Sequence, residues 1–129
     1  ALLKVQNILT NSKNSIIIID GYINEDVLSL LSTKEKLVSV NILTKNISSS
    51  LSTSANAFNK QYGNLSIKTS SAFHDRFLII DDSEFYHFGA SIKDLGNRGF
   101  MFSLIEEKFV IDALREQYLK EWSKAKSII

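Results

Sequence analysis

The sequence predicts an α/β fold, a mixed and mostly parallel central sheet flanked by helices. Three observations point there. The run Ile16-Ile17-Ile18-Ile19 is aliphatic on both alternating faces, as befits a strand covered on both sides. A helical pattern and a second aliphatic strand follow it, the order of a right-handed crossover between parallel neighbours. Near the end, Val110, Leu114, Tyr118 and Trp122 fall four apart, with Ile111 and Leu119 beside them, which gives a long amphipathic helix over 107–126.

The elements follow in order. Leu2, Val5, Ile8 and Leu9 recur at helical spacing, so residues 2–11 form a short amphipathic helix. The aliphatic strand takes 15–20 and Gly21 breaks it. Asn24 caps a helix from 25 to 32 whose Val27, Leu28 and Leu31 face inward. Residues 38–43 supply the next strand. Residues 46–57 are rich in Ser, Thr and Asn, which compete with the backbone and favour loops; a helix is still expected at 51–62, ended by Gly63-Asn64. A short strand at 65–69 precedes a strong one at 73–80 and another at 84–88, the last two joined through Asp81-Asp82-Ser83 as a hairpin. Gly89, Gly96 and Gly99 bracket a loop carrying Ser91, Lys93, Asp94 and Arg98, and a strand at 100–105 closes the set.

Composition bounds the function. The 129 residues suit one domain spanning 1–129, and a start at Ala1 is compatible with a segment of a larger protein. At 44% hydrophobic and 22% charged, the chain is neither disordered nor collagenous. It has no cysteine, which excludes disulfides, a thiol nucleophile and thiolate zinc sites. That fits a reducing, cytoplasmic setting. No run approaches the roughly 20 apolar residues of a membrane span, and no secretory signal is expected at the N-terminus. A net charge of +1 argues against coating nucleic acid by charge alone. Residues 34–76 nevertheless carry six Lys and Arg against two acids, a local excess able to face phosphate or simply water.

The chemistry concentrates in Phe73-His74-Asp75-Arg76-Phe77-Leu78-Ile79-Ile80-Asp81. On a strand, His74 and Arg76 share a face that turns apolar at Leu78 and Ile80. An imidazole and a guanidinium projecting together suit a phosphate: Arg offers a fixed positive fork, and His attacks or shuttles a proton near neutral pH. The plainer reading is a hydrogen-bonding histidine beside a surface Asp75–Arg76 pair. A metal site from His74, His87 and Asp81 or Asp82 lacks any supporting helix or Cys pattern, so neither metal nor cofactor is expected.

This stretch resembles the signature of the phospholipase D superfamily, a His, one residue, a Lys, four residues and an Asp, followed by Gly-Ser and Asn. His74, Arg76 and Asp81 have that spacing, and Gly89-Ala90-Ser91 follows where the Gly-Ser element belongs. The order of elements over 14–126 is similar to the small single-motif nucleases. The His-Asp-Arg opening and the Gly-Ala-Ser-Ile-Lys-Asp-Leu-Gly loop also resemble domains of phage and mobile-element proteins.

The resemblance implies a phospholipase D-like sandwich and a metal-independent phosphodiesterase, most plausibly a nuclease. It would work as a homodimer in which the two His74 side chains converge, one as nucleophile and the other as acid and base. Arg76 would bind phosphoryl oxygens with Ser91 and Lys93 beside it. Asp81 would hold the local network, and Glu106, or Glu107, would orient His74. The expected partner is DNA or RNA, with a phospholipid as the other diester. Two departures from the pattern stand out. Arg76 replaces the usual Lys, and Ser91 or Ile92 stands where the Asn belongs. They leave open a phosphate-binding module without turnover, or a dimerisation domain of a larger protein using the helix of Val110 to Trp122 or the sheet.

Overall fold

Four consecutive isoleucines can be buried only where both faces of their strand are covered, and the centre of a sheet provides that place. In the computed structural model, which describes residues 2–94 and 102–129, they form β1 (Ser15–Ile19) at the middle of a seven-stranded sheet. The remaining elements are α1 (Leu2–Thr10), α2 (Glu25–Leu31), β2 (Ser39–Thr44), α3 (Ser49–Gln61), β3 (Leu65–Thr69), β4 (Arg76–Ile80), β5 (Glu84–Phe88), β6 (Phe102–Leu104), α4 (Lys108–Lys124) and β7 (Lys126–Ser127). Strand order is β6-β5-β4-β1-β2-β3-β7. Helices α1, α2 and α3 cover the face that carries Ile16, Ile18, Val40, Ile42, Leu78 and Ile80. Helix α4 covers the other, where Leu114 and Tyr118 pack on Ile19, Leu43, Ile79 and Phe85.

The expectation of a mostly parallel sheet is overturned. Among the described residues only β1–β2 and β2–β3 are parallel, whereas β1–β4, β4–β5, β5–β6 and β3–β7 are antiparallel. Connection length explains the change. The first two crossovers contain α2 and α3, but only residues 70–75 join β3 to β4, too few for the dozen or more that a parallel return needs. At roughly 3.5 Å per residue those six residues reach about 21 Å, enough to cross the interval of about 14 Å back over β2 and β1 but not also to return along the length of a strand. They run along one edge of the sheet, and β4 enters beside β1 in the opposite direction. The hairpin then reverses the chain through Asp81 and Asp82, both at φ 54°, with the Ser83 N–H donating to the Ile80 carbonyl at 3.0 Å. Ile80 pairs with Glu84, which leaves the three residues 81–83 in the loop, and aspartate tolerates the left-handed region better than most side chains.

Helix starts follow their caps. The Asn24 side chain accepts from the Asp26 N–H at 3.0 Å, and the Ser48 hydroxyl from the Leu51 N–H at 3.0 Å. The second cap draws α3 two residues upstream of its expected start; despite its polar composition, Leu51, Ala55 and Phe58 supply a buried face. Two further boundaries shift. The expected 73–80 strand begins at Arg76, and the long C-terminal helix stops at Lys124 so that β7 can pair with β3. Gly96, Arg98, Gly99 and the first residues of the expected 100–105 strand lie outside the described residues. No helix among the described residues is long and apolar enough to cross a membrane.

Candidate functional site

The register of the strands assembles a polar row at the edge where β1, β2 and β3 end and β4 begins. Ile19 lies between Phe77 of β4 and Leu43 of β2, so Asp20, one residue on, falls between Arg76 and Thr44. Arg76 in turn faces Phe88, and Thr44 faces Thr69. The row beneath it on the same face is wholly apolar: Leu78, Ile18, Ile42 and Ile67. An aliphatic sheet is thus closed at one end by a carboxylate, a guanidinium and two hydroxyls.

Asp20 is completely buried and fully engaged. Its Oδ1 accepts from the Tyr22 N–H at 2.9 Å and its Oδ2 from the Ile92 N–H at 2.7 Å. The Ser91 hydroxyl lies within 3.0 Å of both oxygens and 2.6 Å from the Tyr22 carbonyl. Burial pushes the Asp20 carboxyl above its ordinary range, outweighing the hydrogen bonds from Tyr22, Ile92 and Ser91 and the nearby charge of Arg76. This cluster sews the loop after β1 to the loop after β5. Thr44 is also buried, and its Oγ1 has no hydrogen-bond partner among the described residues.

Arg76 is half-buried, and its hydrogen bond is a long one, 3.5 Å from Nη1 to the Gly89 carbonyl. Among the described residues most of its N–H fork is uncommitted. Lys45, just beyond the end of β2, lays its stem beside Gly21 and its Nζ 5.8 Å from the centre of the Tyr22 ring. Lys93 is neutralised within its own turn by Asp94 at 3.0 Å.

The expected site residues do not all meet. His74 belongs to the connection, not to the strand, so the alternation that would set it beside Arg76 does not apply. It is exposed and lines a hollow of about 340 Å³ with Phe73, Phe77 and the α4 residues Val110, Leu114 and Gln117, whereas Arg76 keeps to the three-helix side near Asp20. Asp75 beside it reaches His87 at 3.6 Å, and the His87 ring rests on Phe77 with centroids 5.4 Å apart. Glu106 and Glu107 line a separate hollow that meets the first at Val110, and no hydrogen bond or ion pair joins either to His74. Chain direction accounts for this: β6 runs from Phe88 towards the start of β5, carrying residues 105–107 away from the edge.

Asp81 stands at the opposite end of β4 from Arg76. Its carboxylate accepts the N–H groups of Lys13 (3.1 and 3.2 Å), Asn14 (2.7 Å) and Ser15 (3.0 Å), clamping the loop before β1. Burial opposes its ionisation, but the N–H groups of Ser15, Asn14 and Lys13 and the charge of Lys13 together hold its carboxyl below the usual range. Ser91 is present at the edge but buried, with its single proton already placed among oxygens. Ile92, buried in the core, brings no polar side chain. Among the described residues no group of three His, Asp or Glu side chains is placed to hold a metal ion.

Asp20, Thr44 and Tyr22 were not singled out from sequence. Asp20 did carry a signal, an acid set directly after four isoleucines with no turn between. Such a carboxylate must be paired where the strand ends.

No family model matches the chain, and no curated protein matches it. Solved structures do. Nuc from Salmonella typhimurium, a phospholipase D family member, superposes with a TM-score of 0.72 at 16% identity, over 97% of this chain and 88% of that one. NucT from Helicobacter pylori gives 0.68 at 12% identity, over 98% and 89%. TrmBL2, an archaeal chromatin protein with a novel mode of DNA binding, gives 0.64 at 22% identity. That match covers 96% of this chain but 49% of TrmBL2, so the chain spans about half its length. The fold is therefore phospholipase D-like, and at these identities the likeness defines the fold alone.

Proposed function

We propose that this chain binds the phosphodiester backbone of nucleic acid at the edge where β1, β2 and β3 end, with Arg76 as the principal phosphate contact. The observation that carries this reading is the state of Arg76. Its guanidinium lies near Asp20, half-open to solvent, and among the described residues spends one long hydrogen bond on Gly89. A planar fork with uncommitted N–H groups is what a phosphate requires. Lys45 adds a second positive charge at the same edge. The DNA-binding mode of TrmBL2 favours nucleic acid over a lipid diester.

Binding is favoured over turnover because the pieces that hydrolysis needs are committed elsewhere. The Ser91 hydroxyl belongs to the Asp20 cluster, Ile92 next to it offers no polar side chain, and among the described residues no hydrogen bond joins Glu106 or Glu107 to His74. A second reading rests on His74, which is exposed at the edge and has no hydrogen-bond partner among the described residues. In a homodimer that brings two such rings together, one His74 nitrogen attacks phosphorus as the bond to the leaving oxygen breaks. That oxygen takes a proton from the second His74. Water then attacks the phosphohistidine, gives its proton back to the second ring and frees the first.

The test is anisotropy of a labelled oligonucleotide over a salt series, for the native chain and Arg76→Ala. The native chain is expected to lose affinity linearly in log salt, and Arg76→Ala to bind about tenfold more weakly with a salt slope shallower by about one. Equal affinity and slope in the two proteins would refute the assignment. Chelator-resistant hydrolysis of an aryl phosphodiester that disappears in His74→Ala would establish the second reading.

A further inference from the structure

We infer that Tyr22 is a stacking platform for an unpaired base, so that the nucleic acid held at this edge is single-stranded. This rests on the backbone-binding reading and adds the class of strand. Tyr22 is 56% exposed, an unusual position for a large aromatic ring beside a sheet end. Its backbone is held on both sides: the N–H donates to Asp20 at 2.9 Å, and the carbonyl accepts from Ser91 at 2.6 Å. The ring is thus presented to solvent from a rigid loop, and little freedom remains to be lost when a base covers it.

Its neighbours supply the rest. Asp20, which holds Tyr22, is flanked in the sheet by Arg76, and Lys45 lies 5.8 Å from the ring centre. An exposed aromatic ring with one cation beside it and a second at the same sheet end is a combination that tracks a single strand, with base on ring and phosphate on charge. A duplex keeps its bases stacked on one another and offers that ring nothing but its backbone. The ring face recognises any base, so the contact selects strand state and not sequence.

Three probes separate the terms: a fluorescein-labelled oligothymidylate, an abasic deoxyribose-phosphate strand of equal length, and the thymidylate paired in a duplex. The native chain is expected to prefer the thymidylate to both others. Tyr22→Ala should lower thymidylate affinity roughly five- to 150-fold, to the level of the abasic strand, while leaving the abasic affinity unchanged. Tyr22→Phe, which keeps the ring, should retain the preference. If Tyr22→Ala keeps the thymidylate-to-abasic ratio while Arg76→Ala weakens both probes, stacking is refuted and backbone binding stands. If the native chain binds the duplex but neither single strand, this inference is refuted and the backbone reading stands; if it binds none of the three probes, both fall.

Discussion

Asp20→Asn probes the strand-end cluster with almost no change of shape. The carboxylate receives the Tyr22 N–H on one oxygen and the Ile92 N–H on the other, with the Ser91 hydroxyl between them. An amide has one oxygen, so one of these two backbone N–H groups must face an NH2. The Ser91 proton still has the Tyr22 carbonyl at 2.6 Å. The loss therefore amounts to one buried donor left unpaired, about 1–3 kcal/mol. Asp20→Ala strands both N–H groups and costs about twice that. Urea unfolding followed by Trp122 fluorescence measures both, and the expected order of midpoints is native, Asn, Ala.

The pH dependence supplies a sign. Burial raises the Asp20 carboxyl in the folded state, so the folded chain holds a proton there that the unfolded chain releases near pH 4. Its advantage over Asp20→Asn is greatest below that value and shrinks as pH rises through the raised one. An alanine variant within about 0.5 kcal/mol of the native chain would refute the cluster as a structural element.

Two further predictions come from the same strands. Asp81 has its carboxyl lowered by the N–H groups it accepts against the opposing effect of burial, so its pH dependence has the opposite sign. The advantage of the native chain over Asp81→Asn should be constant above pH 4 and disappear as pH falls through the lowered value; a penalty in urea midpoint that persists in acid would exclude this. Thr44→Val replaces a buried, unpartnered hydroxyl with a methyl group of equal shape and should be neutral or stabilising by about 1 kcal/mol in thermal unfolding, while a loss of that size would show that the hydroxyl is paired.

Much of the architecture was legible because hydrophobic period reports burial directly. Ile16 to Ile19 had to be central, and the order around α2 required β2 to lie parallel. The balance of parallel and antiparallel pairing was not legible from strand composition, since β4 is as aliphatic as a parallel strand. The short 70–75 connection carried that information. The placing of the proposed site residues turns on a similar point. Spacing located Arg76 at a sheet end, but alternation was extended three residues beyond the strand and set His74 on the wrong side. Asp20 was missed because its partners, Ser91 and Ile92, lie more than seventy positions away. No local pattern announces such a contact. Motif spacing grouped Asp81 with the site, although five strand residues hold them about 16 Å apart at the usual rise.

The polar row also divides the chain in two. Thr69, Thr44 and Asp20 come from the crossover half, while Arg76 and Phe88 come from the hairpin half, and the two halves meet along β1 and β4, beneath α4, and again where β7 pairs with β3. Pairs such as Ile16 with Ile80 lie more than sixty positions apart, so this seam is the slowest contact to form. Neither half contains the edge by itself. A chain cut within 70–75 would yield two pieces, each with a sheet fragment and neither with a phosphate site. Anything that binds across Arg76 and Tyr22 draws on both pieces, and the free energy of that binding adds to the strength of the seam.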